Sequence, residues 1–540
     1  MTSSKSSRVL ALSRRRFLFS TAAVGLLAAV PSLSLAATPT LGGVLTVNIG
    51  GAEPPVLVLI AHTAGSVVYI TGKVTEGLLT YDFDFKPQPL LATSWEISPD
   101  GLSYKFKLRE GVKWHDGQDF TADDVAFSIN TLKAVHPRGR ATFANVSAVN
   151  VIDPHQVELV LAKPAPYLLS ALAASESPIV PKHLYDGTDV PTNPWSLKPI
   201  GTGPFVFKEW ERGSYILLEK NPNYWDPGKP YLDQVIFKFI GDPAAATASL
   251  EAGETQLVTG GTLAVSDIKR LQADPRFEFE SRGFGYVNSI VRAEFNLDNP
   301  ILAKPEVRQA IAHAIDKSFI VNTIFLGYAK ALNGPVSPDL SAFFDPSLPT
   351  YDFDPKKAED LLDAAGYKRG ADGTRFELRI DPTQPDGVYL QTAQYIAQAL
   401  DKIGIKVTLK TEDFGAFVKK VYTDRDFDIA LEGMSNLFDP TVGIQRLYWS
   451  KNFKIGVPFS NGSHYNSPAT DKLLEEAAVE PDAAKRLNLF NQFQQQVVAD
   501  LPAIDVVAPA SFTVTEKHVR DHTVGVEGFG NNGAQVWIQT

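Results

Sequence analysis

Between Leu102 and Leu108 the chain alternates, with Tyr104, Phe106 and Leu108 on one side and Ser103, Lys105 and Lys107 on the other. That is the period of a half-buried strand. Pro99-Asp100-Gly101 before it and Asp116-Gly117 after it have turn chemistry, because glycine accepts positive φ and aspartate can bond nearby backbone. Thr121, followed three residues later by Asp124, predicts a capping box at the head of an amphipathic helix. Val67–Leu79 predicts a helix leading into this stretch, and Ala148–Leu161 predicts two strands about an Asp-Pro-His turn. Val235–Ile240 is an apolar strand, and Asp242–Gly253 is an Ala-rich helix stopped by glycine.

In the second half, Pro305–Gly327 sets Val307, Ile311, Ala314 and Ile315 at helical spacing. Arg308, His313, Asp316 and Lys317 then read as helix-surface and inter-helix residues. Phe376–Ile380, Leu390–Ile403 and Val407–Leu409 run strand, helix, strand, which makes a parallel βαβ unit and an α/β lobe. A strand over Phe427–Leu431 follows, then helices over Asp471–Ala478 and Ala483–Ala499. Pro502–Val507 and Phe512–Thr515 return as strands.

A chain of 540 residues exceeds what one core organises, so two or three domains are expected. Hydrophobic content of 44% and charged content of 21% describe an ordinary globular protein. The net charge of -10 argues against a nucleic-acid or anionic-membrane binder, both of which need a basic face. With no cysteine there is neither a disulfide nor a lipid-modified cysteine, and stability must come from buried cores. Ser13-Arg14-Arg15-Arg16-Phe17-Leu18 has the twin-arginine export pattern, and an apolar, small-residue run follows from Ala22 to Leu35. That run is short for a membrane span. Ser34-Leu35-Ala36 suits cleavage, so residues 1–36 read as a signal peptide and the mature chain starts near Ala37, free in a periplasm.

EGLLTYD, LATSWEISPDGLSYKFKLREGVKWHDG and FTADDVAFSI, between Glu76 and Ile129, closely resemble the signature region of the family 5 extracellular solute-binding proteins. These are the periplasmic oligopeptide-, dipeptide- and nickel-binding components of ABC importers. The segments Ser177–His183, Ile200–Trp225, Pro305–Gly327 and Asn461–Leu474 resemble further family landmarks in family order. The resemblance implies an α/β, two-lobed periplasmic binding protein fold of the class II type, with a small extra domain inserted in the first lobe. It places lobe I over residues 37–80, 195–297 and 503–540, the extra domain over 81–194, and lobe II over 298–502. Trp95, Trp114 and His115 are then packing and turn residues, Trp225 is core, and Tyr465 is structural.

Ligands of open α/β sheets gather at the carboxyl ends of strands, in the crevice between lobes. The loop after Phe427–Leu431 carries Glu432, Asn436, Phe438 and Asp439, and it falls where the family has its principal ligand contacts. Peptide binders typically have an aspartate at the position of Asn436, pairing with the peptide ammonium; an amide brings no charge. Tyr448 and Trp449 add aromatic faces, and Glu53 sits in a loop that faces the cleft in the family. The expected ligand is a peptide or peptide-like solute, with an oligosaccharide, opine or metal chelate as alternatives and a membrane permease as partner of a monomer. No cofactor or nucleic acid is expected. HExxH, G-x-S-x-G and P-loop motifs are missing, which counts against a periplasmic enzyme; a chaperone-like peptide holder would need a broad cleft. Gly201-Thr202-Gly203-Pro204 lacks the residues of a phosphate loop, and His518 and His522 have no third ligand in sequence.

Overall fold

Turn chemistry and alternation produce the elements they predict in the inserted domain. Ser103–Leu108 is a strand whose Tyr104, Phe106 and Leu108 are buried. It pairs with Ala92–Ile97 and Gln156–Leu161, and Val146–Asp153 completes a four-stranded sheet. The helix Ala122–Val135 opens with the predicted capping box: the Thr121 backbone N–H donates to Asp124 Oδ2 at 2.9 Å. Buried Trp114 donates its indole N–H to the same oxygen at 3.3 Å. His115 donates Nε2–H to the Gly203 carbonyl at 2.9 Å while Nδ1 accepts from the Gly201 N–H at 3.3 Å, a use that requires the neutral ring.

The computed structural model describes residues 38–540 apart from Ala52, Pro385 and Asp386; the export signal expected over residues 1–36 lies outside the described residues. The lobe I sheet has seven strands, in the order Phe277–Glu280, Thr513–Glu516, Leu257–Val258, Val44–Asn48, Gln234–Lys238, Tyr215–Lys220 and Phe205–Glu211. The lobe II sheet has six: Ala329–Ala331, Ala503–Pro509, Ser289–Phe295, Ile429–Ser435, Phe376–Pro382 and Ile405–Leu409. Phe376–Pro382 lies parallel to Ile405–Leu409, with the helix Gly387–Lys402 between them in sequence, which is the expected βαβ unit.

Two expected boundaries move. Ser289–Phe295 pairs with both Ile429–Ser435 and Ala503–Pro509, so lobe II begins before residue 298 and extends past 502. The reason is register: Ala293 lies between Leu431 and Ile504, in one continuous apolar layer. The chain therefore crosses between lobes after Glu280 and again between Pro509 and Thr513. The helix expected over Val67–Leu79 spans Gly65–Thr71 only. It stops at Gly72, where a Cβ would stand 2.6 Å from the Gly530 carbonyl. Pro305–Gly327 is broken as well: its first helix ends at Ala314, and Asp316 caps a new start by accepting from the Ser318 and Phe319 N–H groups. Arg308, His313 and Lys317 tie elements together, Arg308 by donating to the carbonyls of Leu302, Ala303, Asp500 and Leu501.

Each lobe has its own apolar core, and the inserted domain's core reaches outside it to Leu437, Phe438 and Val442 of lobe II. Among the described residues no helix is long and apolar enough to cross a membrane.

Candidate functional site

Two parallel strands end facing each other across the lobes. Leu257–Val258, parallel to Val44–Asn48, runs into Thr259-Gly260-Gly261, and Phe376–Pro382 runs into Thr383-Gln384. A cavity of about 760 Å³ opens between these ends. Its lobe I wall is Thr259, Gly260, Gly261, the start of the helix Val265–Gln272, and Phe512; its lobe II wall includes Ser289, Val291, Phe325, Tyr328, Gln384 and Tyr389. Both interlobe crossings border it, since Ser289 and Pro509 belong to the lining.

Small residues shape these walls. A Cβ on Gly260 would lie 2.8 Å from the Phe284 ring, and a side chain on Gly433 would collide with the Tyr389 hydroxyl. Glycine at 433 thus lets the Tyr389 phenol lie against the central strand, where burial pushes its pKa up to about 12. Tyr328, from lobe II, donates to Gln272 Oε1 of lobe I at 2.8 Å. Its ring meets Phe512 edge-on at 5.9 Å.

The described lining residues carry no acidic or basic side chain. Lobe II does hold buried charge, but on the other face of its sheet. Strand alternation turns Val291 toward the cavity and Arg292 away from it, and Arg292 pairs in register with Glu432 on one side and Asp505 on the other. Glu294 lies 3.4 Å from the Arg292 guanidinium, both fully buried. Burial, then the neighbouring Glu294, drives the Glu432 carboxyl well above its ordinary pKa, opposed by Arg292 and by the bond from Tyr422.

None of the residues singled out from sequence lines the cavity. Glu432 is on the far face, accepting from the Tyr422 hydroxyl at 2.7 Å. Asn436 is interior: its Oδ1 accepts from the Ser337 N–H at 2.6 Å and its Nδ2 donates to the Pro335 carbonyl at 2.9 Å. Asp439 forms a two-pronged ion pair with Arg486 at 2.7 and 2.8 Å and caps the turn Pro440–Gly443. Phe438 stacks on Tyr286 at 4.6 Å. Tyr448 packs edge-on against Phe493 at 5.5 Å, under the Arg292 guanidinium. Trp449 donates to Glu475 at 2.9 Å. Glu53 accepts from Trp210 and from the Gly213 N–H, at the tip of the hairpin Phe205–Lys220. The cavity residues that sequence reasoning passed over had one signal, the carboxyl-end rule applied to Phe376–Ile380 and to the strand before Gly260-Gly261.

Two α/β lobes joined by two crossings around a cavity define a solute-binding architecture. Residues 86–456 match the family described as "Bacterial extracellular solute-binding proteins, family 5 Middle", and the chain belongs to that family. It is 29% identical over 484 residues to the oligopeptide-binding protein AppA of Bacillus subtilis, covering 86% of each chain. It is 30% identical over 485 residues to di/tripeptide-binding protein 1 of Pseudomonas aeruginosa, covering 83% of this chain and 85% of that one. Among solved structures, NikZ of Campylobacter jejuni in complex with Ni(L-His) superposes with a TM-score of 0.80 at 28% identity, covering 91% of this chain and 97% of that one.

Proposed function

We propose that this chain is the extracytoplasmic receptor of an ABC importer. It encloses a small solute, a peptide or peptide-like compound, between its lobes and presents the closed form to a membrane permease. The observation that carries this reading is the cavity bounded by both lobes and both crossings. A solute touching both walls favours closure by its differential affinity for the closed form, which is all the mechanism requires. Peptide as the solute is supported by the names of the two relatives above. The protein acts as a monomer in the periplasm after removal of its export signal, and it binds without turnover.

The test is calorimetric titration of the purified mature protein with solute recovered from it by denaturation and identified by mass spectrometry. Saturable one-to-one binding with the solute recovered intact is expected. At a hundred times the dissociation constant, linkage stabilises the fold by about 2.7 kcal/mol. Product accumulating beyond one equivalent would establish an enzyme instead.

A further inference from the structure

We infer that a cavity at the junction of lobe I and the inserted domain is a second binding site, made for a small zwitterion of the α-amino-acid type. It shares no residue with the interlobe cavity and goes beyond the proposed transport function.

The cavity holds about 370 Å³, toward the lower end of ligand pockets, which run from roughly 300 to 1,000 Å³. Two groups of opposite charge line it. The Arg109 guanidinium sits 4.1 Å from the centroid of the Trp225 ring, and its Nε donates to the Leu90 carbonyl at 3.0 Å. Stacking and that one bond fix the group with its two terminal nitrogens turned to neither. A guanidinium held this way is suited to donate two parallel hydrogen bonds to a carboxylate. Residues 1–37 contain no aspartate or glutamate to occupy it, and Asp386 stands in the chain between Gln384 and Gly387 of the interlobe lining.

Glu527 supplies the negative charge. Its Oε2 accepts from the Thr80 hydroxyl at 2.5 Å. The cation that acts on it, Lys73, has its Nζ engaged with the carbonyls of Phe529 and Asn531. A carboxylate held out of water by a neutral donor gains from an ammonium, which offsets its lost hydration. The other charges of the lining are already satisfied. Asp226 and Lys229 pair with each other at 2.9 Å. Glu76, fully buried, accepts from Thr202, Tyr224, Trp225 and Asn532 at 2.8 to 2.9 Å, which makes it a fixed part of the wall. A molecule carrying both a carboxylate and an ammonium answers Arg109 and Glu527 together, and Leu79, Leu90 and Val524 offer an apolar wall for its side chain.

The experiment is calorimetric titration of the mature protein, stripped of solute, with glycine and L-leucine. Each is compared with its two single-charge analogues: methylamine and acetate, 3-methylbutylamine and 4-methylpentanoate. At least one amino acid should bind, and each of its analogues should bind at least about tenfold more weakly, the loss of one charge-assisted pair. Glu527→Gln, and Arg109→Gln or Arg109→Lys, whichever folds, should weaken the amino acid by a similar factor. Gln391→Trp and Ser289→Trp fill the interlobe cavity instead, and whichever folds should leave amino-acid binding unchanged. No binding of either amino acid, or an analogue as tight as its parent, overturns the ligand class. Binding that survives in the folded Arg109 and Glu527 variants, or that is lost on filling the interlobe cavity, overturns the site.

Discussion

The Asn436 amide, expected from sequence to meet the solute, is bonded at both ends within the fold. Its oxygen and nitrogen close a buried bridge to the backbone at Ser337 and Pro335, about a hundred residues away in sequence. Asn436→Asp keeps the acceptor for the Ser337 N–H but sets a carboxylate oxygen against the Pro335 carbonyl. The expected loss is about 1–3 kcal/mol, the cost of a buried group left unpaired, with no gain in affinity for ammonium-bearing peptides. Urea denaturation together with peptide titration checks this; a stable variant with stronger peptide binding would return Asn436 to the site. Glu527 gives a pH test at the same scale. Burial pushes its carboxyl from 4.5 up to about 7, opposed by the bond from Thr80 and by Lys73. The folded state therefore holds the proton more tightly than the unfolded chain, and stability falls as pH rises from about 4.5 to about 7. Glu527→Gln removes that slope, so the variant should gain on wild type by on the order of 2 kcal/mol between pH 4.5 and 8. Parallel stability-versus-pH curves for the two proteins would contradict it.

At the scale of elements, an aromatic stack joins three parts of the chain. Tyr81 stacks on Tyr286 at 5.7 Å, and Tyr286 stacks on Phe438 at 4.6 Å. Tyr286 lies on the first crossing between lobes and donates to the Ser170 carbonyl of the inserted domain at 2.7 Å. Phe438 thus anchors the lobe II loop in the inserted domain's core, and Phe438→Ala should cost about 3–5 kcal/mol. A loss below 1 kcal/mol in chemical denaturation would show that the loop does not depend on this contact. Local elements were legible because their causes are local. The Thr121 and Asp124 capping box needs only residues three apart, and the alternation of Ser103–Leu108 needs only one buried face. Membership of sheets was less so. Ala503–Pro509 is apolar on either reading, and only its pairing with Ser289–Phe295 places it in lobe II. The cavity was the least legible part, because short segments from both lobes build it and no one of them carries a motif.

At the scale of the molecule, a resemblance carried by packing residues identified the family without locating the solute. Trp114 and His115, within the stretch that carries the resemblance, hold the inserted domain together and tie it to lobe I at Gly201 and Gly203. The lobes are joined by two crossings and touch through Tyr328, Phe512 and Gln272. Closure about those crossings is the motion the proposed function requires. The absence of cysteine lets labels be placed at will. Exposed Lys208 of lobe I and exposed Lys406 of lobe II, each replaced by cysteine and spin-labelled, report the interlobe distance. With the stripped protein and then with saturating copurified solute, pulsed dipolar spectroscopy should show the distance distribution narrowing and moving to shorter values. A distribution unchanged by a solute that calorimetry shows to be bound would contradict enclosure between the lobes.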